Sequence, residues 1–171
     1  MFFYLELMDY LNSASKQKKF AMAGYPEPVK YKPKNYRKYK GDPTKIIARS
    51  GWELQLMKWL DRHYSCIEWN SEGCVVPYFS PVDEKWHRYF VDFVATFKYR
   101  DGSVKKFMIE VKPYSQTQKP VKGKKKEKTF LNEAMTYTIN QAKWEAAEKY
   151  AAEHGMYFIK MTEYELGLKK R

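Results

Sequence analysis

The chain is poor in cysteine and histidine, the residues that build structural zinc sites. Cys66 and Cys74 do not form a CxxC motif, and no histidine lies near either one at the spacing of zinc ligands. Both cysteines stand among apolar residues, so we expect buried thiols, with a disulfide as the alternative. His63, His87 and His154 are too scattered to form a phosphodiesterase cluster. A zinc-stabilised fold and histidine-centred chemistry are therefore not indicated.

Long apolar runs and glycine-rich motifs are absent too. No apolar stretch approaches the length of a membrane span. The apolar start of the chain has no leading positive charge and no clear cleavage site, so we predict no signal peptide. The sequence has no glycine-rich phosphate loop, no dinucleotide fingerprint and no internal repeat. We expect an intracellular protein with no membrane partner.

Positive charge and aromatic side chains are abundant. The 171 residues include 32 Lys and Arg against 20 Asp and Glu, a net charge of +12, and 18% of them are aromatic. The charge favours a polyanionic partner, and aromatic residues beyond the needs of a core can stack on bases or sugars. We therefore predict a nucleic-acid partner, with simple solubility as the alternative.

A boundary between an N-terminal segment and the main domain is predicted at about residue 43. Before it, the helical spacing of Phe3, Leu7 and Leu11 predicts a short helix within residues 1–21. Prolines then block regular structure, and basic residues alternate with tyrosines. This basic arm either contacts phosphates and stacks on bases or is a solvated linker. Its candidate DNA-binding residues are Lys32, Lys34, Arg37, Lys38 and Lys40.

Residues 44–171 have the pattern of a mixed α/β domain. A helix is predicted from the N-cap Asp42 to about Arg62, with Ser50 as the alternative start. The order helix, strands, hairpin, helix, strand indicates a mixed sheet with a packed helix rather than a doubly wound fold. The further predicted elements are strands at 66–70 and 74–79, a turn at 80–84, a strand at 86–97, a hairpin turn at 100–102, a strand at 104–112, a lysine-rich loop at 119–128, a helix at 131–154 and a strand at 156–162.

The most informative motif is formed by Glu110 and Lys112, two residues apart on a predicted strand. Because the side-chain repeat of a strand is two, both point to the same face. Phe107, Ile109 and Val111 then point to the other face, where they can be buried. A Glu-x-Lys motif can also be a surface ion pair that contributes little to stability.

Asp92 and Glu53 supply two further acids. Asp92 interrupts an otherwise apolar strand, so it must be a metal ligand or pair with Arg88 or Lys112, because burying a bare charge is costly. Glu53 fits a capping box with Ser50, unless the helix begins earlier and Glu53 lies within it. Three carboxylates and a lysine are what metal-assisted phosphodiester hydrolysis requires: oxygen ligands for Mg²⁺ and a cation beside the water or the phosphate.

These residues resemble the motif of the PD-(D/E)xK nuclease superfamily, in which a helix glutamate precedes a strand aspartate and a (D/E)-x-K motif on the paired strand. Val91 stands where the motif often has proline. The resemblance implies a restriction-endonuclease-like core with flanking helices, and makes residues 44–171 a nuclease-like catalytic domain. The residues that match the motif are Glu53, Asp92, Glu110 and Lys112.

The same resemblance implies a site for Mg²⁺ or Mn²⁺. Its ligands would be Asp92, Glu110 and the backbone carbonyl of Val111. Glu53 would complete the metal site, and Lys112 would orient the attacking water or offset charge in the transition state. A glutamine or lysine on the following helix often lines such sites, and the candidates here are Gln141 and Lys143.

A closer resemblance, over about residues 22–160, is to the head-completion nucleases of T-even-like tailed phages, a family similar to the endonuclease subunit of Tn7-type transposition. It implies a DNA endonuclease that acts after DNA packaging and before tail joining, in the host cytoplasm or at the head–neck region of the virion. Its partners would be DNA and portal or neck proteins. The matching segments are 31–35, 39–43, 49–53 and 87–93.

Two alternatives to an endonuclease remain. A non-catalytic plug that binds a DNA end or the portal could retain the nuclease fold and the basic surface. An RNA-binding module is a second alternative, but no RNP-like or KH-like motif is present. The lysine-rich loop either closes on the DNA backbone or is a solvated, disordered loop. The candidate DNA-binding residues outside the arm are Arg49, Arg88, Lys119, Lys122, Lys124, Lys125 and Lys126.

Overall fold

The computed structural model of the protein describes residues 28–169. The helix predicted within residues 1–21 and the start of the basic arm lie outside the described residues. No helix in the described part is long and apolar enough to cross a membrane. The elements are β1 (Val29–Lys30), a 3-10 helix (Tyr36–Lys38), β2 (Ile47–Ala48), α1 (Gly51–Arg62), β3 (Cys66–Ser80), β4 (Lys85–Lys98), β5 (Val104–Val111), α2 (Tyr114–Thr117), α3 (Glu127–Glu153) and β6 (Tyr157–Met161).

A four-stranded sheet with the order β3-β4-β5-β6 forms the centre of the fold. β3, β4 and β5 are antiparallel neighbours, whereas β6 lies parallel to β5 because α3 carries the chain back across the sheet. β1 and β2 form a separate two-stranded antiparallel sheet. The mixed sheet with helices confirms the predicted fold class.

Helix α1 begins later than the predicted start at Asp42. Ser50 is its N-cap: the backbone of Ser50 is extended, and its Oγ accepts a hydrogen bond from the Glu53 N–H at 3.1 Å. Asp42 instead accepts a hydrogen bond from the Thr44 N–H in a local turn. Strand β2 occupies the place of the first turns of the predicted helix. The alternative start at Ser50 is therefore the correct one, because its hydroxyl satisfies an N–H of the first turn.

Strand β3 is continuous, where two short strands were predicted. Its pairing with β4 is irregular after Ser71, and Glu72 has a φ of 53°, which marks a bulge that takes up an extra residue. β5 pairs with residues 93–98 of β4 and not with the preceding part. Residues 75–80 of β3 and 85–90 of β4 therefore continue past β5 as a two-stranded extension, which we call the β3–β4 ribbon.

Helix α3 starts inside the lysine-rich loop predicted at residues 119–128. Its C-terminal end, by contrast, agrees with the prediction that Gly155 terminates it. Gly155 adopts a φ of +64°, and the Met156 N–H donates to the Ala151 carbonyl at 2.8 Å. The short helix α2 was not predicted. The final strand lies within the range predicted for it.

Two clusters of buried apolar side chains form the core. Leu56 and Leu60 of α1 pack with Ile109 in the first cluster, and Ala147 of α3 packs with Met108 in the second. Neighbouring strand residues point to opposite faces, so Met108 and Ile109 assign the two clusters to opposite faces of the sheet. A helix thus covers each face, and β5 is anchored on both sides next to the Glu-x-Lys motif.

The described part of the basic arm is attached to the domain by Asp61, whose side chain is fully buried. Its carboxylate accepts hydrogen bonds from the Tyr31 hydroxyl and from the backbone N–H groups of Lys34 and Asn35, at 2.7–3.0 Å. Hydrogen bonds to a buried charged acceptor are among the stronger ones in proteins. From residue 28 onward the arm therefore packs on the domain. The predicted division of the chain at residue 43 stays a prediction.

Candidate active site

The end of the β4–β5 ladder brings Asp92 and Glu110 together. The last paired residues are Phe93 and Ile109. Beyond them, Asp92 Oδ2 accepts a hydrogen bond from the Val111 N–H at 2.8 Å, where a backbone carbonyl would stand in a continued ladder. The carboxylate of Asp92 is thereby placed between the two strands. The two acids from separate strands consequently face one space.

Both oxygens of Glu110 have partners inside the protein. The side chain is only 2% exposed. Oε2 accepts a hydrogen bond from the Tyr89 hydroxyl at 2.6 Å, and Oε1 lies 3.0 Å from Lys112 Nζ. The predicted same-face arrangement of Glu110 and Lys112 is present. A buried carboxylate held by two partners has a defined orientation, which a surface ion pair lacks.

Electrostatics set these groups apart from ordinary surface residues. Burial, and then the nearby charge of Glu110, raise the pKa of Asp92 to about 8, although the Val111 N–H and Lys112 oppose the shift. Burial alone would lower the pKa of Lys112, but Glu110, Asp92 and Glu53 together raise it. The acids therefore hold Lys112 as a cation, while Asp92 and Glu110 form a carboxylate pair with too little positive charge beside it.

Glu53 lies in the capping box of α1. Its Oε1 accepts a hydrogen bond from the Ser50 hydroxyl at 2.9 Å, and its Oε2 accepts one from the Arg49 N–H at 2.8 Å. The interpretation of Glu53 as a mid-helix acid is therefore wrong, because α1 starts at Gly51. Each oxygen keeps a further lone pair, so the carboxylate can still act toward the site. The metal-ligand role of Glu53 stays a prediction.

A cleft of about 400 Å³ opens at this end of the sheet. All four residues of the predicted catalytic set line it: Glu53, Asp92, Glu110 and Lys112. Three of the predicted supporting or DNA-binding cations also line it: Arg49, Arg88 and Lys143. Burial and repulsion by Lys112 lower the pKa of Lys143, against the pull of Glu110 and Asp92. The cleft thus combines a carboxylate centre with a rim that carries Arg88, Lys143 and an Arg49–Glu72 ion pair.

The other predicted cations do not line this cleft. Lys38 donates a hydrogen bond to the His63 carbonyl at 2.8 Å, and Lys40 pairs with Glu68. In the lysine-rich segment, Lys122 pairs with Glu127 and Lys125 pairs with Glu133. Gln141 is half-buried away from the cleft lining. The remaining ones are exposed: Lys32, Lys34, Arg37, Lys119, Lys124 and Lys126.

The oxygen atoms that line the cleft are chemically suited to bind a hard divalent cation. Within residues 28–169, no three side chains of His, Cys, Asp or Glu lie close enough together to hold a metal ion on their own. Asp92 and Glu110 nevertheless offer oxygen donors on one cleft, and the raised pKa of Asp92 reflects its burial and then a local excess of negative charge from Glu110. A divalent cation would relieve that excess. The carbonyl of Val111 as a further ligand stays a prediction.

Tyr89 is a site residue that was missed at the level of sequence. It lies in the run of apolar and aromatic residues before Asp92 and is only 4% exposed, so it has the pattern of a core residue. Burial, and then the charge of Glu110, raise the pKa of the Tyr89 hydroxyl, which stays protonated and donates to Glu110. The available signal was chemical: a buried tyrosine hydroxyl needs a hydrogen-bond partner.

Comparison with known proteins agrees with this geometry. The model of the TnsA-like endonuclease N-terminal family matches residues 63–163. A protein described as "Head completion nuclease", from Enterobacteria phage T4, is 42% identical over 138 residues, which cover 78% of this chain and 89% of that protein. No solved structure shows a significant match to the chain.

Proposed function

Because this chain belongs to the TnsA-like endonuclease family and is a homologue of the phage T4 head completion nuclease, we propose that it is a metal-dependent DNA endonuclease. In phage assembly, it would act in the completion of the head, after DNA packaging and before tail joining. The observation that carries the proposal is the convergence of Asp92, Glu110 and Lys112 on one cleft. Glu110 and Lys112 are held there by contacts that a surface ion pair would not need.

The proposed metal is Mg²⁺ or Mn²⁺. Asp92 and Glu110 would hold it, with the Val111 carbonyl and Glu53 as additional proposed donors. When bound, such an ion polarises the scissile phosphate and lowers the pKa of the attacking water. Hard cations of this kind prefer carboxylate and carbonyl oxygens, and the carboxylates of Asp92 and Glu110 line this cleft.

The residues of the chain itself position the reacting groups. Lys112 Nζ, held by Glu110 Oε1, donates toward the attacking water or the phosphate oxygens, where negative charge develops in the transition state. Tyr89 keeps the Glu110 carboxylate oriented from its other oxygen. Arg88 and Lys143 on the rim contact the DNA backbone.

DNA is the proposed substrate, and portal or neck proteins are the further proposed partners. The exposed cations of the arm and of the lysine-rich segment would contact phosphates beyond the cleft, because such contacts release counterions and add affinity without sequence preference. The protein would act in the host cytoplasm during assembly or at the head–neck region of the virion. The alternative is that the protein is a non-catalytic plug, which would bind a DNA end or the portal through the same surface.

Metal-dependent cleavage distinguishes the enzyme from the plug. We expect the purified full chain to cut double-stranded DNA in Mg²⁺ or Mn²⁺ and to leave it intact in excess chelator, with activity restored when the ion is returned. Gel analysis of labelled DNA measures this. Cleavage that persists undiminished in chelator would contradict the metal mechanism, and binding without cleavage under any divalent ion would favour the plug.

A substitution of Glu53 separates its two roles. Glu53→Gln keeps one acceptor oxygen for the Arg49 N–H, its amide N–H can donate to the Ser50 hydroxyl, and glutamine is a normal capping-box residue, so stability should change by less than about 0.5 kcal/mol. The loss of its charge should raise the Mg²⁺ concentration for half-maximal cleavage by about tenfold. Ser50→Ala is the control: it weakens the cap by about 1 kcal/mol and leaves the carboxylate in place. An unchanged Mg²⁺ requirement in Glu53→Gln would leave Glu53 with a capping role alone.

A further inference from the structure

One side of the β3–β4 ribbon exposes aromatic side chains to solvent. Trp86 is 71% exposed and Phe90 is 46% exposed. The rings of Phe79 and Trp86 meet edge to face at 5.8 Å. We call this side of the ribbon the aromatic face. It consists of three cross-strand pairs, Val75 with Phe90, Pro77 with Arg88, and Phe79 with Trp86.

The aromatic face leads into the proposed active site. Residues two apart on a strand point to the same side, so Trp86, Arg88 and Phe90 form one line along β4, which ends next to Asp92. The steps of this line are about 6.6–6.8 Å long. The Arg88 guanidinium lies 5.5 Å from the centre of the Phe90 ring, and both side chains line the cleft together with Asp92.

The exposed rings are not needed to cover the core. The opposite side of the ribbon supplies the core contacts, since Val76, Tyr78 and Tyr89 are buried in the cluster that includes Ala147 of α3. The six residues of the aromatic face include one arginine and no carboxylate. The face is therefore apolar and cationic, and it is continuous with the carboxylate centre.

We infer that the aromatic face binds unpaired DNA bases next to the cleft, and that the preferred substrate is DNA with a single-stranded segment beside the cut. Aromatic rings stack on the π-faces of unpaired bases, and arginine adds contacts to phosphate and base. A paired duplex already stacks its bases on one another and offers them no free face. The inference rests on the proposed nuclease function, which places a DNA strand in the cleft.

Nucleic acid fits this surface better than a protein partner does. Arg88 and Lys143 line the cleft at its end, next to an Arg49–Glu72 ion pair, and the chain carries a net charge of +12. A strand that runs from the cleft along the ribbon would keep its phosphates near these cations while its bases reach Phe90 and Trp86. Cations on the rim of the cleft, at the end of an aromatic surface, thus favour a polyanion with exposed flat rings.

Binding in chelator tests the inference without relying on cleavage. The probes are a fluorescein-labelled blunt duplex and the same duplex with a single-stranded extension, measured by anisotropy with the full chain in EDTA. Trp86→Ala should weaken binding of the extended duplex by about 5- to 150-fold and change blunt-duplex binding by less than about twofold. Phe90→Ala should act in the same direction.

Tyr64→Ala is the matched control, because Tyr64 is an aromatic residue that is 72% exposed. It lies just before the start of β3, at the end of that strand away from the β3–β4 ribbon. The substitution should leave binding of both probes unchanged. Melting temperatures of the three variants should stay near that of the wild type, since all three side chains are substantially exposed. A melting curve of each variant verifies this before binding is compared.

Three outcomes would overturn the inference: unchanged binding of the extended duplex, equal losses on both probes, or a dimer in sedimentation that Trp86→Ala dissociates while DNA binding persists. The last would assign the aromatic face to a second copy of the chain. Failure of the nuclease proposal is recognised separately, because wild-type protein in Mg²⁺ would then leave both probes uncut whatever the binding result in EDTA.

Discussion

Lys112→Ala should abolish DNA cleavage while leaving most of the DNA affinity in place. The ammonium group lies 3.0 Å from Glu110 in the cleft and is positioned to act where charge develops. Removing a single preorganised donor of this kind costs about 100- to 1,000-fold in rate. Lys112 is only one of 32 basic residues, so DNA affinity, measured in chelator, should fall little. Rates of cleavage at saturating DNA measure the effect on kcat.

The stability of this variant needs its own control. Without Lys112 the buried Glu110 keeps only Tyr89 as a partner, so Lys112→Ala should also lower the free energy of unfolding by about 1–3 kcal/mol. Adding Glu110→Gln removes the unpaired charge and should recover part of that loss without recovering cleavage. Lys106→Ala, on the exposed half of the same strand, should be neutral. If Lys112→Ala cut DNA at the wild-type rate, Lys112 would be a structural cation.

Asp92→Asn should lose cleavage at least as completely, and should make the metal-free protein more stable. The amide oxygen can still accept the Val111 hydrogen bond, so the strand geometry is kept. The variant lacks the negative charge that a hard cation requires. Calorimetric titration with Mn²⁺ should therefore show weaker binding, independently of any activity.

The expected gain in stability follows from the pKa of Asp92. Burial and Glu110 raise that pKa to about 8 in the folded protein, above the ordinary 3.8, so the folded state binds more protons than the unfolded state between these values. Stability in chelator should fall as the pH rises from about 4 to 8, and Asp92→Asn should remove this component. Near pH 8 the variant should be at least about 1 kcal/mol more stable, which corresponds to about 2–4 °C in Tm.

Asp101→Asn is the matched control for this effect. Asp101 lies exposed in the β4–β5 hairpin, where hydrogen bonds from Ser103 lower its pKa. Losing its charge should leave the Tm unchanged or lower it, the opposite direction to Asp92→Asn. A decrease in Tm for Asp92→Asn in chelator would contradict the description of Asp92 as a buried carboxylate whose negative charge is not fully balanced by nearby positive charge.

The sequence was sufficient to predict those features whose geometry depends only on residues close together in the chain. The alternation along β5 placed Glu110 and Lys112 on one face and Phe107, Ile109 and Val111 on the other, and the structure has this arrangement. The hairpin turn after β4 and the glycine that ends α3 follow from local chemistry as well. These features depend on neighbours in the chain, so the sequence contains their cause.

Tertiary contacts decided the features that depend on distant partners. Whether Glu53 caps a helix depended on the pairing of β2 with β1, which excludes an earlier helix start. The role of Tyr89 depended on the register that brings its hydroxyl to Glu110, 21 residues away. The attachment of the arm depended on Asp61, which satisfies backbone N–H groups 26 and 27 residues earlier. Charge and periodicity along the chain contain no distances, so partners of buried polar groups become known only when the fold brings them together.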